Sequence, residues 1–403
     1  MNLKTLLLLP ILAGGLECHA HDWPIYRGPD HNGISRETNW DVDWPPDGPG
    51  TLWQANVGIG FSSIAVANGR AFTMGNEDEV DTVFGFDALT GKQLWSHSYD
   101  SELDPRFYEG GPGASPTVDG DRVFTISKSG DLFCFEAKSG KILWQRDLEA
   151  EEQAVVTDWG FSGAPFPYRN LLLLNVGTAG LAVDKKTGET IWKSESGEAG
   201  YSTPYPVKWQ GKQLFIFSSA SSYSAVFPLT GKQEWEAAWF TRYGVNAADP
   251  IVVGDEMFIS SGYSKGATKL KLRKGEPEEI WRLRKYRNQF NSSVLIAGHL
   301  YGFDGDNNSR AKLKCVNWDS GEEIWEQDGI GFGSLMAADG KLIVLSPKGE
   351  LIIAPASPKG FEPVAKAKVL DGKCWTVPVL ANGLIYGRNA AGDLVCVDVR
   401  AKK

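Results

Sequence analysis

The stretch Gly130-Asp131-Leu132-Phe133-Cys134-Phe135-Glu136-Ala137-Lys138-Ser139-Gly140-Lys141-Ile142-Leu143-Trp144 decides the fold. Its first half is a short apolar run of strand length. Ser139-Gly140 supplies turn residues, with Gly free to take φ > 0, and Ile142 to Trp144 opens the next strand. The ending recurs as TGKQLW at Trp95, TGETIW at Trp192, TGKQEW at Trp235 and SGEEIW at Trp325. GEPEEIW at Trp281 is a looser copy, and Thr51-Leu52-Trp53 is a copy without the turn. From Trp53 to Trp325 the successive Trp lie 42, 49, 48, 43, 46 and 44 residues apart. That period is one four-stranded propeller blade, and a Trp fixed at one repeat position reads as packing between neighbouring blades.

A second marker precedes each of these turns. It is a small residue or Pro, an apolar strand, a Gly or Asn turn, and another apolar strand. Residues 114–127, ASPTVDGDRVFTIS, show it most clearly. It recurs at 62–75, 163–176, 202–218, 248–261, 291–304, 334–346 and 376–389, which makes eight inner hairpins. The last repeat ends at Asp398-Val399 without a Trp strand, and the Trp53 strand has no hairpin before it. The expectation is therefore an all-β, eight-bladed propeller of four-stranded antiparallel blades, closed by the N-terminal strand. The seventh repeat departs from the pattern, with Phe361-Glu362-Pro363-Val364 where Gly-x-x-Trp is expected.

The 403 residues carry a net charge of -9, with no acidic or basic block. That argues against nucleic acid as a partner, which needs a basic stripe. Lys4 and the apolar residues 6–16 read as a signal peptide, cleaved after Ala20 in Cys18-His19-Ala20. Lipidation at Cys18 is the alternative, although Glu17 stands where a small residue is expected. No later apolar run is long enough to span a bilayer. The reading is a periplasmic or secreted monomer with a single propeller domain over 21–403. Cys134, Cys315 and Cys396 sit at similar places in different repeats, too far apart around a ring to pair. With Cys374 they are expected as buried thiols.

The pattern G-x-L/V-x-x-x-D-x-x-T/S-G-K-x-x-W stands here in Gly130 to Trp144 and, in part, in Phe86-Asp87-Ala88-Leu89-Thr90-Gly91-Lys92 to Trp95. It resembles the pyrroloquinoline quinone (PQQ)-like repeat family, and most of all its BamB-type bacterial propellers. The resemblance implies eight blades around a channel. It does not imply one activity, because the family holds both quinone-dependent dehydrogenases and a non-enzymatic assembly scaffold. A dehydrogenase would hold PQQ with calcium, and many family enzymes carry adjacent cysteines. No Cys-Cys pair occurs here.

Chemistry-bearing residues concentrate where the chain passes from a Trp strand to the next inner hairpin, in loops that a propeller gathers at one channel mouth. Asp158, Trp159, Arg242, Tyr243, Asn246, Arg287, Asn291 and Trp375 are the candidates for holding a protein or small-molecule ligand. Arg242 and Arg287 are the candidate anion clamps. Glu109 and Asp249 are the calcium candidates. The same residues could instead plug the funnel and satisfy loop backbone. Asp304-Gly305-Asp306-Asn307-Asn308 begins like a calcium loop, but Ser309 and Cys315 break the pattern, so a hairpin turn is expected. The functional expectation is a non-catalytic binding or scaffold protein, with a PQQ-dependent alcohol or sugar dehydrogenase as the alternative.

Overall fold

The Asp-x-x-Thr-Gly turn explains why the repeat folds as it does. Asp87 accepts hydrogen bonds from the backbone N–H groups of Leu89 and Thr90 and from the Thr90 hydroxyl. Asp184 and Asn317 hold their own turns in the same way. Each turn then passes the chain to the outermost strand of its blade. The computed structural model describes residues 21–106, 108–305 and 310–401. The stretch expected to be a signal peptide, Cys18 and the calcium-like turn at 306–309 lie outside the described residues.

Eight antiparallel sheets form the ring. Blade 1 runs from Ala65–Ala67 through Arg70–Glu77 and Val80–Asp87 to Gln93–Asp100. Blade 2 begins at Thr117–Asp119, blade 3 at Phe166–Tyr168, blade 4 at Tyr205–Trp209 and blade 5 at Ile251–Val253. Blade 6 begins at Val294–Ile296, blade 7 at Ser334–Ala338 and blade 8 at Val379–Ala381. Gly50–Asn56 completes blade 8 by pairing with Asp393–Asp398, so the N-terminal strand closes the ring as expected. In blade 7 the outer strand forms without a Trp, at Ala365–Lys368. All four described cysteines are buried free thiols.

The apolar core sits between the blades. Each buried cluster joins neighbours, as Phe72, Met74 and Trp95 of blade 1 meet Val123, Phe133 and Phe135 of blade 2. One larger cluster joins blades 7, 8 and 1 across the closure. The repeated Trp is the bridge. Trp95 donates its indole N–H to the Ala137 carbonyl of the next blade at 3.0 Å. Trp53, Trp144, Trp192, Trp281 and Trp325 do the same to Ala88, Lys185, Pro228, Trp318 and Ser357. Trp235 is the exception. Its N–H finds no acceptor among the described residues, and blade 5 has an irregular turn that contains Gly275.

The turn Gly is the other half of this contact. Gly140 has φ +71°, and a Cβ there would lie 2.6 Å from the Trp95 ring. Gly91, Gly188, Gly231 and Gly321 sit the same way on Trp53, Trp144, Trp192 and Trp281. The motif therefore records two residues that touch across neighbouring blades. Gly140→Ala is expected to cost more than 2 kcal/mol, combining left-handed strain with overpacking, each roughly 1–3 kcal/mol. Gly120→Ala shares the positive φ but has open space, so about 1 kcal/mol is expected. Equal losses in urea unfolding would refute the packing explanation.

Residues 21–40 form an element the sequence did not announce. They enter the channel from the face opposite the entry loops, run up the axis and return. Asp22 bonds the backbone N–H of Asn68 and the amide of Asn382. Trp23 pairs with Val66 of blade 1, and the Pro24 carbonyl accepts from Val118 of blade 2. On the return, His31 packs on Phe166 of blade 3. Ile34–Ser35 then adds a parallel strand to the inner edge of blade 7. Glu37 finally accepts from the Gly383 backbone N–H of blade 8.

Candidate functional site

The tip of this axial loop is Tyr26, and it lines a cavity of about 210 Å³ at the channel mouth. The loops that lead into the inner strands supply nearly all of the wall. Blade 1 contributes Phe61 and Ser63, blade 2 Tyr108 and Ser115, and blade 3 Trp159 and Ser162. Tyr201 and Thr203 come from blade 4, Val245, Ala247 and Tyr263 from blade 5. Gln289, Phe290 and Asn291 come from blade 6, and Trp375, Thr376 and Val377 from blade 8. The aromatic rings support one another. Trp375 lies 5.8 Å from Phe61 and 5.2 Å from Phe290, and Trp159 meets Tyr201 edge-on at 5.8 Å.

No lining residue carries a formal charge. The phenols do not alter this, because burial pushes Tyr201 up to about 12 and raises Tyr108 and Tyr26 as well. Several charges beside the cup are paired outside its lining. Lys373 lies over the Trp375 ring and binds Glu109 at 2.6 Å. Lys128 lies over the Tyr108 ring and binds Asp104 at 3.2 Å. Below the floor, Arg27 is 3.8 Å from Asp249 and donates to the Ser293 carbonyl at 2.8 Å. Burial lifts the Asp249 carboxyl to about 6, with Arg27 pulling the other way.

The candidates from sequence divide into three groups. Trp159, Asn291 and Trp375 line the cup, and Asn291 is held by the Gly333 carbonyl at 2.9 Å. Asp158, Arg242 and Tyr243 are exposed around it, with the Arg242 guanidinium 5.3 Å from the Tyr243 ring. Tyr243 stacks edge-on against the lining ring Tyr263 at 4.9 Å. Asn246, Arg287, Glu109 and Asp249 are held by other groups. Asn246 donates to the Ser219 and Trp239 carbonyls and accepts from Ser261. Arg287 binds Asp304 at 2.7 Å. Neither expected anion clamp therefore lines the cavity, because one projects from the rim and the other is matched to a carboxylate.

Tyr26, Phe61, Tyr201 and Tyr263 were missed. A signal existed for two of them. Gly60-Phe61-Ser62, Gly160-Phe161-Ser162 and Gly200-Tyr201-Ser202 place an aromatic at one repeat position, just before the inner strand. Tyr26 had no such signal, because only the axial loop brings it here.

The groups present do not fit PQQ with calcium. PQQ is a tricarboxylate, and its calcium needs several carboxylate or amide oxygens. The cup offers neither cations nor carboxylates, and Glu109 and Asp249 are matched to Lys373 and Arg27. Among the described residues no three His, Cys, Asp or Glu gather as a metal group.

Residues 79–327, more than half of the chain, match the family model described as outer membrane protein assembly factor BamB. The BamB of Shewanella oneidensis is 23% identical, over 87% of this chain and 89% of that protein. A polyvinylalcohol dehydrogenase from a Pseudomonas species is 29% identical, over 33% of this chain and 20% of its own length. The quinohemoprotein alcohol dehydrogenase of Comamonas testosteroni superposes with a TM-score of 0.68 at 14% identity, covering 95% of this chain and 81% of that one. A likeness at that identity carries the fold alone. The matched repeats and the eight closed blades give one conclusion: the chain belongs to the PQQ-like repeat β-propeller family that the BamB model describes.

Proposed function

We propose that this chain is an exported, periplasmic, non-catalytic propeller that binds its partner through the channel mouth. The observation that carries the reading is the cup itself, an aromatic cavity built by loops from seven blades without a charged group in its wall. Such a wall can hold a ligand, and its Ser, Thr and Tyr hydroxyls have no carboxylate, imidazole, amine or thiol in the lining to activate them for acid, base or nucleophilic work. Trp159, Asn291 and Trp375 make the ligand contacts. Asp158, Arg242 and Tyr243 present the polar rim that a protein partner would meet, in keeping with the assembly-factor name of the BamB relatives. Arg287, Asn246 and Asp249 hold the loops and the axial segment in place.

The competing reading is a quinone-dependent dehydrogenase, favoured by the partial match to polyvinylalcohol dehydrogenase. Purified protein supplied with PQQ and calcium is expected to reduce no redox dye above a protein-free blank, with alcohols or aldoses as donors. Turnover that disappears in Trp375→Ala would overturn the binding reading.

A further inference from the structure

The chemistry of the cup narrows what it can hold. Its wall alternates aromatic rings with short neutral hydrogen-bonding side chains, among them Ser63, Ser115, Thr203 and Asn291. One of these groups is unfinished. Gln289 is 4% exposed and lines the cavity, and its Oε1 is buried with no hydrogen-bond donor. An orphaned buried acceptor costs about 1–3 kcal/mol, so turning the Gln289 amide toward the cup to meet a ligand donor would recover that cost. The volume suits one substituted six-membered ring, since a dry cavity of about 150 Å³ already admits benzene.

Three ligand classes suit aromatic walls, and the wall separates them. An organic cation favours ring faces but cannot donate to Gln289 if quaternary, and no carboxylate here would balance its charge. A purely apolar ring would leave the Gln289 amide unpaired and would use none of the spare capacity of Ser63, Ser115 and Thr203, whose hydroxyls already bond to the Val377 carbonyl and to the Ser63 and Ala164 N–H groups. A neutral sugar satisfies both halves, with C–H faces lying on the rings and hydroxyl edges giving and taking hydrogen bonds. We propose that the channel mouth binds one residue of an uncharged glycan, stacked against Trp375 or Trp159 and donating a hydroxyl to Gln289. This rests on the reading of the mouth as the binding site, and goes beyond it in naming the ligand class.

The test is a panel of ligands followed by thermal shift and calorimetry on the full mature chain. It contains neutral gluco-, manno-, xylo- and N-acetylglucosamine oligosaccharides, polyuronates, choline and indole. At least one neutral oligosaccharide is expected to bind, with the polyuronates and choline at least tenfold weaker. Gln289→Leu is expected to weaken that sugar at least fivefold without lowering the melting temperature, and Trp375→Ala at least tenfold. Gln289→Leu guards against a folding defect in Trp375→Ala, whose ring packs on Phe61 and Phe290. Phe240→Ser, at an exposed ring outside the cup wall, is expected to leave affinity unchanged. If no neutral sugar binds, or if binding ignores both cup variants, the glycan proposal is overturned. Indole or choline binding lost in Trp375→Ala would sink the glycan but keep the mouth as the site. Absence of any binding across the panel would overturn the glycan and leave the mouth to a protein partner.

Discussion

Removing residues 21–40 is expected to lower the melting temperature by roughly 10 °C or more, the largest loss any single change here should produce. The segment buries Trp23, Ile25 and Trp40 almost completely. Each such side chain contributes about 1.5–3 kcal/mol or more on burial. The deletion also strips backbone partners from Val66, Val118, Ala337 and Gly383 on four blades. Arg27 leaves with it, so the buried Asp249 loses the cation that faces it and keeps the Thr203 N–H. Differential scanning calorimetry of the chain beginning at Asp41, which retains the closing strand Gly50–Asn56, measures the effect. An unchanged transition would mean that the ring carries its own stability and the axial loop merely fills space.

Arg388→Met is expected to cost about 3 kcal/mol and to lower the melting temperature by roughly 5 °C. Arg388 stands on Leu384–Arg388 of blade 8 and is wholly buried. Its guanidinium donates to the carbonyls of Gly58, Ser62 and Met74 and to the Thr73 hydroxyl, all in or beside blade 1. It is thus a polar latch across the seam where the last blade meets the first. Its described partners are carbonyl and hydroxyl oxygens, so nothing balances its charge, and desolvation lowers its pKa to about 9. Met fills similar space but takes this donor from the Gly58, Ser62 and Met74 carbonyls, at about 1 kcal/mol or more each, with Ser62 keeping the Thr73 hydroxyl. The gain from no longer burying a charge offsets part of this loss. Stability equal to the parent's would show that the seam is held by its apolar contacts alone.

How much of this was legible follows from how local each signal is. The repeat was readable because the turn and its Trp lie within six residues, so that Gly140 and Trp144 stand side by side in the chain. What the sequence could not display is that Gly140 touches Trp95 of the preceding blade rather than its own Trp. The outer strand of blade 7 was obscured because Phe361 stands where the turn Gly is expected, against Trp325 of the preceding blade, and Val364 where the Trp is expected, while the strand itself begins at Ala365. The axial loop was illegible for a different reason. Its partners run from Val66 to Gly383, and no periodicity records contacts that a single pass makes with many blades.

The loops meeting at the mouth were legible from topology, and Trp159, Asn291 and Trp375 line it. Residue type alone could not say which polar groups were already taken. Asn246 and Arg287 carry the chemistry of ligand-binding residues, yet Ser261 and Asp304 engage them. Charged side chains drew attention in the sequence, while the wall is made by Tyr, Phe, Ser and Thr, whose ordinary place is a core or a turn.

We read the channel mouth as an uncharged binding cup rather than a quinone site. Titrating the protein with PQQ, with and without calcium, at low ionic strength tests it most directly, with absorbance and thermal shift as readouts. An uncharged cup is expected to give no saturable change and no rise in melting temperature at PQQ concentrations up to about 100 μM. Saturable binding with a Kd near 1 μM would raise the folding free energy by about 2.7 kcal/mol at that concentration. Such a rise, strengthened by calcium and lost in Trp375→Ala, would contradict it.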